Sequence, residues 1–227
     1  MGVDTGVKII EDDFVRPLTL STTPEGGTGW TVKDTSAAGA PTFTTIDSDS
    51  GQLKITLEAT DEIQVVTMYH NDIESFLQEN IQSVSWDVLV AGIDLLTVLS
   101  VGIASDQADD EDAITESAWF KMEGATSTSN LVVESDDGTN DNNDVATGQT
   151  LAGTLKRLEI NFEFGVEDVR FYVEDSNGQR VRVADGTTFD LSNFTGRLQP
   201  FIQLSKPSGT GIPSVTIDNF RIQYKKD

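Results

Sequence analysis

The 227-residue chain carries 38 acidic against 15 basic side chains, a formal charge of −23. That balance excludes the basic footprint of a nucleic-acid binder and repels anionic membranes. With no cysteine, disulfide staples, thiolate metal sites and cysteine nucleophiles are excluded too.

Thr, Val, Ile, Gly, Asp and Ser dominate and helix-spaced apolar residues are rare, so the chain reads as all-β, of a size one sandwich can fill. Residues 1 to 11 read as an extended arm anchored by Val7, Ile9 and Ile10. The stretch from Met1 to Gly6 has neither the basic nor the apolar run of a secretory signal, and Gly6 stands where a myristoylation pattern needs Ser or Thr. Residues 12 to 227 read as one domain, because no linker or repeat divides them.

Within that domain, short strands are predicted near Thr42 to Ile46, Gln52 to Leu57 and Ile63 to Tyr69. Asp72 to Asn80 is the best helix candidate, with Asp72 as cap and Ile73, Phe76 and Leu77 on one face. Val88 to Ala104 is the most apolar segment, but Gly92 and Asp94 interrupt it short of the roughly 20 apolar residues of a membrane helix. Two buried strands joined by a turn account for it, the second apolar enough to lie in a sheet covered on both faces. Two acidic loops follow, Ser105 to Asp112 and Ser135 to Asp144, separated by strands near Ala118 to Glu123 and Asn130 to Glu134.

From Leu158 to Tyr224 the pattern is clearest. Leu158, Ile160, Phe162 and Phe164 alternate with polar residues, as do Val169, Phe171 and Val173, the period of a half-buried strand. Asp175-Ser176-Asn177-Gly178 supplies a turn, and Val181 and Val183 begin the return strand. Val215 and Ile217 fall on odd positions while Phe220, Ile222 and Tyr224 fall on even ones, which predicts a bulge at Asp218-Asn219.

Asp12-Asp13-Phe14 with Trp30, Arg170-Phe171-Tyr172-Val173, and the ending from Val215 to Ile222 resemble the concanavalin A-like lectin and glucanase jelly rolls. The resemblance implies an all-β, two-sheet antiparallel jelly-roll sandwich with at most one or two short helices. Similar domains occur among virion proteins of tailed phages, and the missing signal and the arm fit that group. The leading expectation is therefore a non-enzymatic capsid decoration or cement protein on the virion surface, made in the host cytoplasm. Its partner would be the major capsid protein, gripped by the arm, with self-association as a trimer on a symmetry axis. The alternative is a lectin-like module or fibre domain whose partner is a glycan.

Three constellations could carry chemistry. Glu159-Ile160-Asn161-Phe162-Glu163 echoes the glucanase Glu-x-Asp-x-Glu strand, whose two carboxyls stand about 5 Å apart in a retaining mechanism. Asn161 replaces the central Asp, so no catalytic residue is expected. Asp136, Asp137, Asp141 and Asp144 offer hard oxygen ligands for a structural calcium ion, against the reading of a solvated acidic loop. Trp86 reads as core, whereas Trp119, beside the first acidic loop, is the candidate for stacking on a sugar ring. His70, the only histidine, reads as a strand-end residue.

Overall fold

A computed structural model of the protein describes residues 6–15, 30–39, 41–45, 51–72, 75–125, 130–151 and 153–226. The first half holds β1 (Val7–Asp12), β2 (Thr31–Asp34), β3 (Thr42–Thr45), β4 (Leu53–Thr56), β5 (Gln64–Tyr69), β6 (Phe76–Leu77), β7 (Ile81–Ala91) and β8 (Val98–Ala104). The second adds β9 (Glu116–Glu123), β10 (Asn130–Asp137), β11 (Asp141–Thr150), β12 (Lys156–Asn161), β13 (Arg170–Glu174), β14 (Arg180–Val183), β15 (Arg197–Lys206) and β16 (Ser214–Lys225). They build two eight-stranded antiparallel sheets. The first has the order β14-β13-β12-β7-β16-β4-β3, with β1 also on β16; the second has β11-β10-β9-β8-β15-β5-β2, with β6 also on β15.

Alternation decides which side chains close the sandwich. From the first sheet Leu158, Ile160, Phe171, Trp86 and Ile217 point inward; from the second come Leu99, Val101, Phe120, Met122 and Ile202, all in one buried core. Each such side chain contributes about 1.5–3 kcal/mol on burial. The Asp12–Phe14 motif closes one end of this core. Asp12 accepts hydrogen bonds from the Phe14 backbone N–H at 2.9 Å and from Trp30 Nε1 at 3.1 Å. The Trp30 ring then meets His70 and Phe220 edge-on.

The bulge falls where the parity switch predicts it. Between Asp218 and Arg221 the register against β7 slips by one residue, and Asn219 takes a φ of 49°. At the same point the other neighbour of β16 changes from β4, paired with Ser214 to Ile217, to β1, paired with Phe220 to Lys225. The turn at Asp175 to Gly178 also forms as expected, with Gly178 at φ 74° and the Asp175 carboxylate accepting from the Asn177 and Gln179 N–H groups.

Four expectations are corrected. Residues 7 to 11 are not a free arm: they lie in β1, in register with β16 from Val7↔Lys225 to Asp12↔Phe220. Ile10 packs against the core, while Ile9 stays 48% exposed. Of the Asp72 to Asn80 helix, residues 73 and 74 lie outside the described set, and the rest is β6 plus a single 3-10 turn at Gln78–Asn80. Asn71 and Asp72 both adopt left-handed φ values, 47° and 59°, which cannot start a right-handed helix. The second acidic loop is mostly a hairpin, because β10 runs on to Asp137 and β11 begins at Asp141. Pairing along β10 overrides the low strand propensity of Asn and Asp. Finally, Phe164 is exposed beyond the end of β12, with the Arg170 guanidinium 3.4 Å above its ring.

Candidate functional site

On the second sheet, the residues between the core positions face outward, and the strand registers align them in two rows. One row runs Glu134, Trp119, Gly102, Phe201, Tyr69 across β10, β9, β8, β15 and β5. Beside it run Lys121, Ser100, Gln203, Thr67 and Lys33, the last on β2. Gly102 makes the first row continuous. A Cβ there would fall 2.5 Å from Trp119 Cβ, and in its absence the Trp119 and Phe201 rings approach to 5.7 Å between centroids.

This outward face is covered by a strap, residues 106–115 between β8 and β9, which the Ser105 N–H closes at its base by donating to the Glu116 carbonyl at 2.9 Å. Lys33 Nζ donates to Gln107 Oε1 and Asp109 Oδ1 at 2.6 and 3.0 Å. Gln203 Nε2 donates to the Ala108 carbonyl at 2.7 Å. Lys121 Nζ holds the far end through Asp112 at 2.8 Å and Glu111 at 3.6 Å. Ala108 and Ile114 pack on the Trp119–Phe201 pair. The sequence expectation that β8 is covered on both faces is thus met, its outer cover being the strap.

Between the strap and the β10–β11 hairpin the face stays open as a cleft of about 440 Å³. Ser117, Trp119 and Lys121 of β9 line it, facing Glu134, Asp136 and Asn143 of the hairpin. Its electrostatics centre on one buried cluster. Glu134 Oε2 accepts from Trp119 Nε1 at 2.7 Å and Oε1 accepts from Lys121 Nζ at 3.2 Å. Burial pushes the Glu134 carboxyl up to about 7, against the pull of Trp119 and Lys121. For Lys121, burial favours the neutral amine, but the Asp112 hydrogen bond and the Glu134 and Glu111 charges outweigh it and raise its pKa. Burial raises Glu111 and Asp136 as well.

Of the residues singled out in the sequence, Trp119 lies at this cleft but is only 2% exposed: Ile114 covers it and Glu134 holds its N–H, so its ring is no stacking face. Asp136, Asp141 and Asp144 line the cleft. Asp137 does not join them. Its carboxylate accepts from the Thr139, Asn140 and Asn193 backbone N–H groups, which lowers its pKa despite the opposing effect of burial. Among the described residues no three carboxylate or histidine side chains gather as a metal site. Val7, Ile9 and Ile10 lie away from the cleft, on β1 of the other sheet.

The Glu159-x-Asn161-x-Glu163 series is on the outer face of the first sheet. Asn161 Nδ2 bridges the two carboxylates, at 3.1 and 3.4 Å. Arg180 binds Glu159 through two nitrogens, and that pairing outweighs burial to lower its pKa. That pairing holds the Glu159 carboxylate in its charged form. Sequence reasoning missed Lys121, Ser100, Gln203 and Glu134. The one available signal was a lysine inside the apolar run from Ala118 to Met122.

Neither a protein-family model nor a curated protein sequence matches the chain. Solved structures do. The chain is similar to a glycoside hydrolase family 16 protein of Bacteroides ovatus, from a mixed-linkage-glucan locus and solved with a glucan product. The TM-score is 0.62 at 11% identity, over 94% of this chain and 99% of that one. A protein of unknown function from Shewanella oneidensis MR-1 gives 0.60 at 12% identity, over 99% and 89%. The carbohydrate recognition domain of Emp47p gives 0.56 at 9% identity, over 100% of both chains. The fold is therefore the concanavalin A-like jelly roll.

Proposed function

We propose that the protein is a non-enzymatic, lectin-like carbohydrate-binding module whose glycan site is the cleft between the strap and the β10–β11 hairpin. The observation that carries the reading is the chemistry of that cleft: Ser117, Asp136 and Asn143 offer hydrogen-bonding groups at its walls. Similarity to a carbohydrate recognition domain and a glucan-bound glycosidase supports it at the level of the fold. Both oxygens of Glu134 are already taken, by Trp119 and Lys121, which suits a structural role for that carboxyl. Residues 7 to 11, expected to help grip a capsid, are bound along β16.

A glycan array followed by calorimetry on the best ligand tests this. Binding is expected to weaken about tenfold or more in Asp136→Ala and Asn143→Ala, the loss of one or two ligand hydrogen bonds. No reducing ends should appear on prolonged incubation. An empty array, or affinity untouched by both substitutions in folded protein, would overturn the reading.

A further inference from the structure

We infer that the strap is displaceable, and that the sheet surface beneath it is the covered continuation of the cleft, exposed when an extended polyhydroxylated chain takes the strap's place. The inference rests on the glycan-binding reading and adds to it a gate. Lys121, Ser100, Gln203, Thr67 and Lys33 form a polar row across five strands, each directly opposite the next. At the usual strand spacing the row spans about 19 Å, a length that fits an oligosaccharide and not a single sugar. The strap lies along this row and contacts both ends and the middle, the places a bound chain would use.

The row's hydrogen-bonding capacity is not exhausted by that cover. Ser100 Oγ and Gln203 Oε1 have no partner among the described residues, and both side chains are at least 98% buried. The amide of Gln203 cannot be turned to hide this, because its nitrogen is fixed by the Ala108 carbonyl and Thr67 Oγ1. Folds satisfy roughly nine-tenths of the polar groups they bury, and here two unsatisfied oxygens stand on directly opposed residues of one row. A polyol chain, donor and acceptor at every hydroxyl, suits two acceptor-capable oxygens better than a strap does.

Much of the strap's hold is exposed to solvent, the buried Glu111–Lys121 pair being the exception. It carries Asp106, Asp109, Asp110, Glu111 and Asp112 with no basic residue, and one large apolar side chain, Ile114. Two of its anchors to the sheet lysines, Asp109 and Asp112, are 52% and 67% exposed, so solvent and salt compete with them directly.

The test uses the whole chain and a β-1,3/1,4 mixed-linkage glucotetraose, with hydrogen exchange of strap amides and calorimetry as readouts. In Asp109→Asn/Asp112→Asn the strap amides are expected to exchange faster while β7 and β16 amides do not change. Tetraose affinity should rise about tenfold, as it would if the closed strap left one molecule in ten competent. A second variant, with residues 107–113 replaced by a short Gly/Ser linker, should bind at least as tightly. The inference is overturned, with the glycan reading intact, if wild-type protein binds the tetraose and neither variant binds it more tightly. If no form binds it, the inference falls, and a parallel empty glycan array brings the underlying reading down as well.

Discussion

The two sheets present outer faces built on opposite plans. On the first, charges meet in solvent: Arg157 with Asp87 at 2.9 Å, Arg180 with Glu159 at 2.6 Å, and Arg180 stacked 3.4 Å above Tyr172. On the second, Lys121, Glu111 and Glu134 are buried together where the strap meets the sheet, and the Ser100 and Gln203 oxygens have no partner among the described residues. Solvated pairs contribute little and respond to little. Buried ones couple the fold to protonation and to whatever replaces the strap.

The sharpest way to break this contrast is to remove Lys121. Its Nζ is the shared counter-charge for Asp112, Glu111 and Glu134. Lys121→Ala strands two buried carboxylates and is expected to cost about 3–5 kcal/mol, measured by chemical denaturation. Glu134→Gln in the same chain should recover part of the loss, since one of the stranded charges is then gone. A cost under about 1 kcal/mol would place the cluster in the same class as the solvated pairs of the other face.

Protonation is the next lever. The Glu134 carboxyl, ordinarily near 4.5, titrates at about 7 in the folded protein. The folded state therefore holds this proton more tightly than the unfolded chain does. The stabilisation is fully present below the unfolded value and is lost as pH rises through the folded one. Across that window stability should fall by up to about 3 kcal/mol, and burial of Glu111 adds in the same direction. Asp109, Asp137 and Glu159, all lowered, act in the opposite sense but below the ordinary carboxylate range, outside this window. Thermal midpoints measured between about pH 5 and pH 7 should slope downward in the wild type and flatten in Glu134→Gln. Parallel slopes in the two proteins would remove Glu134 from the account.

The same contrast explains what could be read in the sequence. The first sheet was legible because its outer face is polar: Leu158 and Ile160 alternate with Glu159 and Asn161, and the parity switch in β16 announced the bulge at Asp218-Asn219. The second sheet hides its polar face. Ser100, Gln203 and Thr67 come from three different strands, each flanked by core residues, and only the register brings them into one row. Trp119 was singled out for its place beside an acidic loop, but whether that loop runs away from the sheet or back across it depends on Lys33, Lys121 and Gln203, far apart in the chain. The β11 strand was hidden for a related reason: Asp141-Asn142-Asn143-Asp144 has loop composition and becomes strand only by pairing with β10.

The smallest effect is expected on the first sheet, and it closes the comparison. Arg180 is about half exposed, and although its guanidinium binds Glu159 bidentately and covers Tyr172, both contacts lie where water competes. Arg180→Ala should cost less than about 1 kcal/mol. With that partner gone, Glu159 keeps only the lesser pull of Asn161 and Arg157, so the variant's stability should depend less on pH in the acid range. Neither change should reach the cleft, because the two outer faces are separated by the whole thickness of the core, roughly 10 Å between sheets. Glycan affinity that drops in Arg180→Ala while the fold stays intact would mean that the first sheet, not the second, presents the binding face.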